Sequence, residues 1–214
     1  LPPPASEALR DKLVSDHCLK LSEQERMPLW AALCKLIAHH RRFPDANWSL
    51  GDEHLLPIEE ITRQLAPKSP TLLHKRLFSE ADAYLYEGDG DWEEEQEKLF
   101  QIRKAAIEDI LSEGGLPLVL EFASTVSNAH LVGDVLADMD RPEFDAELLP
   151  DLLDKADQKY WSLVAAYAWR RRFMGNWQWF DDINKVGWEP KQIALLLCAL
   201  PFDSQAWDRA AQLL

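Results

Sequence analysis

Residues 91–115, DWEEEQEKLFQIRKAAIEDILSEGG, form the longest uninterrupted helical pattern in this chain of 214 residues. Asp91 is a good N-cap, and Glu94 stands three residues on, where a capping-box partner belongs. Glu93, Glu94, Glu95 and Glu97 crowd the first turns, where carboxylates favour the helix dipole. Trp92, Leu99, Ile102, Ala106 and Ile110 recur at helical steps, and Phe100, Ile107 and Leu111 widen the same face. Gly114 and Gly115 offer a left-handed stop. The rod would be about 35 Å long at 1.5 Å per residue. One helix of this kind cannot bury its stripe alone, so it requires neighbours.

The following segments supply them. Leu116 to Val126 reads as a second helix, with Pro117 in its first turn. Asn128 can cap a third, His130 to Met139, with Gly133 where helices pack closely. Asp140 to Asp145 reads as a loop, and Ala146 to Lys155 as a short helix interrupted by Pro150. Gln158 to Met174 is apolar on almost every side through Trp169, which predicts a central, buried helix stopped by Gly175. Asn176 caps the next, with Trp179, Ile183 and Val186 on one face, and Gly187 ends it. Pro190 opens another, and Asp203 caps a last helix carrying Trp207, Ala210 and Leu214.

Before residue 91 the pattern is less regular. Ser6 could cap a short helix through Leu13 or Val14. Ser22 and Glu25 make a capping box before Trp30, Leu33, Cys34 and Ile37. Pro28 implies either a later start or a kink in that helix. Phe43 to Leu56 reads as a loop with aromatic anchors, Pro57 opens a short helix over 58–65, and 71–86 reads as one further helix.

The expected fold is therefore all-α. Antiparallel helical hairpins over 91–214 stack into a short, irregular α-solenoid, in the style of HEAT or tetratricopeptide arrays. A less regular helical part, 1–90, packs with them as one unit. The hairpins pair 91–112 with 116–127, 129–139 with 146–155, 158–174 with 177–186 and 190–200 with 204–214. Their period of roughly 30 to 40 residues is that of helical-hairpin repeats. Hydrophobic residues make up 47% of the chain, and strand-like runs rich in Val, Ile and Thr are absent.

The net charge of −14 is unevenly placed. Residues 1–50 carry 7 basic and 6 acidic side chains, 51–150 carry 8 and 23, and 151–214 carry 8 of each. An acidic middle argues against DNA or RNA as the main partner, because phosphate neutralisation drives such affinity. Cys18, Cys34 and Cys198 are odd in number and contain no CxxC. Cys34 and Cys198 lie in apolar helical contexts and read as buried thiols, which fits a reducing, cytoplasmic compartment. No apolar run reaches the roughly 18 residues of a membrane span, and no signal peptide is visible. The chain begins at Leu1 on a Pro-rich lead-in and stops within an amphipathic pattern, as an excised piece of a longer protein would.

Nucleophile-elbow, phosphate-loop, dinucleotide and zinc-protease signatures are missing, and no cofactor is indicated. His39 and His40 are adjacent and cannot form the i, i+4 pair that zinc favours. Glu87, Asp89, Asp91 and Glu93 alternate through a turn, but the twelve-residue calcium pattern fails. They read as a solvated helix start that could attract a basic partner. Arg170, Arg171 and Arg172 lie between Trp169 and Trp177, a mixture that could bind phosphate, a base or a peptide. In the structural reading, Trp169 and Trp179 complete a core and the arginines pair with Asp181 and Asp182. Asp138, Asp140, Glu143, Asp145 and Glu147 make a second acidic edge, read as a solvated face, with arginine pairing to this acidic middle as another structural possibility.

The cadence of RRFPDANW at 41–48, GGLPLVLEFA at 114–123, HLVGDVLA at 130–137 and ALPFDSQAW at 199–207 resembles helical-repeat scaffold regions of large multidomain bacterial proteins. The resemblance covers most of the chain and rests on cadence. It implies a scaffold or sensor segment and carries over no functional residues. The leading expectation is thus a protein-interaction or scaffold segment without catalytic activity of its own, whose partner is another protein or another domain of the same chain. The alternatives are a sensor module attached to an effector or nucleotide-hydrolysing domain, and a small-molecule enzyme with a pocket between helices. Candidate partner-binding residues are Arg170, Arg171, Arg172, Trp177, Glu87, Asp89 and Glu93. Oligomeric state is not encoded in any of these features.

Overall fold

A side-chain stripe of Trp30, Leu33, Cys34 and Ile37 organises the first of the two units into which the chain divides in a computed structural model. The structure describes residues 20–79, 91–155 and 157–213. Among them every regular element is helical.

The stripe lies on helix α1 (Glu23–Arg42) and packs on Ile58, Ile61 and Leu65 of α2 (Asp52–Leu65). The capping box forms: the Ser22 N–H donates to Glu25 at 2.9 Å, and the Glu25 N–H donates to the Ser22 hydroxyl at 3.3 Å. With its start so defined, α1 includes Pro28 in its interior instead of beginning after it. The Glu23 carboxylate also accepts the backbone N–H groups of Lys68 and Ser69, at 3.0 and 3.3 Å. Those bonds hold its pKa below the ordinary carboxylate value.

Helix α2 starts earlier than expected. Gly51 is its N-cap and Asp52 and Glu53 fill the first turn, so residues 52–56 are helical and Pro57 lies inside. The loop before it is clasped by two imidazoles. Leu50 donates its N–H to His40 Nδ1 at 3.2 Å, and His39 stacks on Trp48 with ring centroids 4.5 Å apart. In the described part of the helix expected over 71–86, the chain instead forms the short α3 (Pro70–Leu73), a break at His74, and a 3₁₀ turn over Lys75–Phe78. The Ser6 helix, Cys18, and residues 80–90 with Glu87 and Asp89 lie outside the described residues.

Helix α4 (Trp92–Thr125) contributes residues up to Leu99 to the first unit and the remainder to the second. Before Gly114 its buried stripe is Leu99, Arg103, Ala106, Ile107 and Ile110, and after Gly115 it is Leu116, Val119, Phe122 and Ala123. Trp92 and Ile102, expected on that stripe, are exposed: Trp92 stands in the first turn, and Ile102 lies to one side of the packed face. Gly114 and Gly115 interrupt the helix where a stop was expected, Gly115 with φ 66° and ψ −166°.

In the second unit, α5 (Ala129–Asp138) lies along α7 (Gln158–Asp182). Gly133 permits this. A Cβ there would stand 2.0 Å from the Leu163 carbonyl oxygen and 3.0 Å from the Tyr167 nitrogen. The segment expected to be a loop before Ala146 forms α6 (Glu143–Leu148), with turns after it. Helix α7 repeats the break of α4, but at Asn176 (φ 54°, ψ −160°), one residue beyond the expected stop. It ends at Asp182, which leaves Val186 exposed beyond the helix and off the predicted face. Helices α8 (Pro190–Cys198) and α9 (Ser204–Leu213) pack together as the predicted terminal hairpin. Asp203 caps α9 by accepting the Ala206 N–H at 2.9 Å. The buried position of α9 is Ala206, not Trp207, and Cys198 is exposed while Cys34 is buried.

Candidate functional site

The three consecutive arginines of α7 diverge by about 100° per residue, so each meets a different neighbour. Arg170 donates to Asp138 at 2.6 Å, lies 4.5 Å from the Phe100 ring centroid, and shares Asp138 with Lys104 at 3.1 Å. Burial raises the Asp138 pKa, but these two cations outweigh it and hold the carboxyl below its ordinary value. Arg172 pairs with Asp203 at 3.6 Å and lies 5.0 Å from the Trp177 ring centroid. Arg209 approaches the same ring at 4.6 Å and holds Asp181 through two nitrogens, at 2.8 and 2.6 Å.

Arg171 is the most enclosed of the three. It donates to Asp145 from Nη2 at 2.9 Å and from Nε at 3.3 Å. The Tyr167 hydroxyl donates to Asp145 Oδ1 at 2.7 Å, and the Trp179 indole N–H donates to both oxygens at 3.1 Å. One carboxylate thus satisfies a guanidinium, a phenol and an indole in a low-dielectric setting. Burial first, and then the bond to Asp145, push the Tyr167 pKa far above the usual phenol value. Burial lowers the Arg171 pKa, but the Asp145 bonds outweigh it and raise the guanidinium.

The expected pairing of these arginines with Asp181 and Asp182 does not occur. Nine to twelve residues along a helix is about 14–18 Å, beyond easy side-chain reach, and the Asn176 break lies between. The partners come from α5, from α6 and from the turn before α9. Asp138 and Asp145, read as parts of a solvated edge or as arginine partners in the acidic middle, are partly buried and paired. The available signal was the donor chemistry of Tyr and Trp, which seek an acceptor when buried. Trp169, expected in the core, is exposed: it lies about 200° around the helix from buried Tyr167. Trp177 and Trp179 are both buried, and Glu93 is exposed in the first turn of α4.

Beside Arg171 lies an open groove of about 930 Å³. Trp179, Trp188, Met174 and Leu149 contribute to its apolar lining, and Asp140 and Asp182 to its polar lining. Among the described residues no group of three or more His, Cys, Asp or Glu side chains is arranged to hold a metal ion. No described helix is long and apolar enough to cross a membrane. No protein-family model matches the chain, and neither a curated protein nor a solved structure is significantly similar to it.

Proposed function

We propose that this chain is a protein-interaction or scaffold segment of a larger cytoplasmic, bacterial protein, without catalytic activity of its own. In this reading its helices stack as a short irregular solenoid and present a stiff surface to a partner protein or to another domain. The observation that supports it is a set of large apolar side chains left outside the core of the second unit. Trp169 is 51%, Phe173 74%, Phe202 73% and Trp207 65% exposed. Trp169 and Phe173 are one helical turn apart, and Phe202 and Trp207 contact each other with centroids at 6.3 Å. The Arg172–Asp203 pair ties the turn of α7 that carries Phe173 to the segment that carries Phe202. Covering one such side chain is worth about 1.5–3 kcal/mol, so several together favour a partner.

Site-specific photo-crosslinking in the cells that make the protein tests this reading. A crosslinking residue at Phe173 or Phe202 is expected to capture a discrete protein, and one at exposed Glu147 is not. The captured protein, once purified, should bind the chain directly and lose at least tenfold in affinity to the variant combining Phe173→Ser and Phe202→Ser. Equal labelling at all three positions, or no labelling, overturns the reading.

A further inference from the structure

The groove beside Arg171 combines an apolar lining with unspent negative charge. We propose that it receives a basic peptide segment of a protein partner. A lysine or arginine side chain would lie between Asp140 and Asp182, and a neighbouring apolar residue would lie against Met174 and Leu149. This inference rests on the interaction reading above and names the chemistry of the partner.

Shape comes first. At about 930 Å³ the space is large enough for several side chains, and its lining mixes indoles and aliphatics with a few polar groups, as binding clefts do. Charge then selects the occupant. Asp140, Asp145 and Asp182 line the groove against a single cation, Arg171. That cation is committed to Asp145, and its approach to Asp140 is 3.9 Å. The Asp140 side chain is 92% exposed. Asp182 is also exposed; it accepts the Gln178 amide on Oδ1 at 2.7 Å and feels the nearby Lys185 ammonium only through space. Both rim carboxylates therefore keep acceptor capacity for an incoming cation. Phosphate, nucleic acid and anionic lipid would meet like charge there. A bare inorganic cation would leave the apolar lining in water. A basic side chain flanked by an apolar one satisfies both parts, and Trp179 and Trp188 add the aromatic surface that cations favour.

The test is a titration of the chain, ¹⁵N-labelled at its tryptophan indoles, with a blocked hexapeptide of alternating Lys and Leu. A Glu–Leu hexapeptide is the control. The Lys–Leu peptide is expected to move the Trp188 and Trp179 signals to saturation while the control leaves them in place. Asp140→Asn with Asp182→Asn, both exposed, should weaken binding about fivefold to tenfold, the scale of two solvent-exposed ion pairs. Identical shifts with both peptides, or Lys–Leu shifts scattered over the surface, overturn the proposal. A crosslinking residue at Gln178 separates the two readings. Partner capture there without a preference for the basic peptide removes the occupant and leaves the interaction reading standing. No capture at Gln178, Phe173 or Phe202 removes both.

Discussion

The Asp145 carboxylate accepts the Arg171 guanidinium through two nitrogens, at 2.9 and 3.3 Å, with both side chains largely but not fully withdrawn from water. It ties α6 to the middle of α7, and Tyr167 and Trp179 complete its coordination. Asp145→Ala would leave a buried guanidinium, a phenol and an indole N–H without an acceptor. The expected loss is about 3–5 kcal/mol, the scale of breaking one partner of a buried pair. Urea denaturation measures it. A loss under about 1 kcal/mol would show that water replaces the carboxylate at little cost.

Gly133 is expected to be intolerant of any side chain. A methyl group there meets backbone, the Leu163 carbonyl oxygen, which cannot rotate away. Gly133→Ala should cost about 3 kcal/mol or more by forcing α5 off α7. Gly187, where an added Cβ meets nothing within 4 Å, is the control, strained only by its φ of 83°. Thermal melts of the two alanine variants should differ in that order.

Gly115 and Asn176 break two long helices with nearly the same backbone conformation, φ 66° and ψ −166° against φ 54° and ψ −160°. This region belongs almost entirely to glycine, and other residues pay about 1–3 kcal/mol there. Asn176→Gly is therefore expected to stabilise the chain by about 1 kcal/mol, and Gly115→Ala to destabilise it by about 1–3 kcal/mol. Opposite shifts in the denaturation midpoint would bear this out; a destabilised Asn176→Gly would indicate an unseen role for the amide.

Acidification should act in two windows. Burial, together with His39, lowers the His40 pKa below its ordinary 6.5, and the Leu50 N–H requires an unprotonated Nδ1. The unfolded chain then takes up this proton first. Stability is whole above about pH 6.5 and declines as the pH falls through that value. Asp138 has the opposite ionisation but the same sense. Its folded pKa lies below the ordinary 3.8, so its contribution is present above that value and is lost as the pH falls through it. Urea midpoints from neutral pH downward should show both declines, and His40→Gln should remove the first. A variant profile that overlays the parent near pH 6 would exclude His40 as its source.

Several local features were legible in the residues alone. The Ser22–Glu25 capping box, the Gly114–Gly115 break, the close approach at Gly133 and the Asp203 cap each depend on neighbours a few residues away, or on the size of one side chain. Such terms are written into the order of residues. The early start of α2, the short α6 and the exposure of Trp169 and Trp207 were not legible in the same way. Propensity and pattern leave these choices nearly balanced, and packing tips them.

The acidic chemistry divides along the same line. Its amount and its concentration between residues 51 and 150 follow from the sequence alone. Which carboxylates are spent does not. Asp138 and Asp145 look no different in sequence from Asp140, yet two are taken up by arginines of α7 and the third stands in water at the rim of a groove. The all-α class and the local helix signals came from short-range terms. The pairing of Arg171 with Asp145, 26 residues away, was decided only when α6 met α7, because an ion pair gains its strength from burial that the rest of the fold must first create.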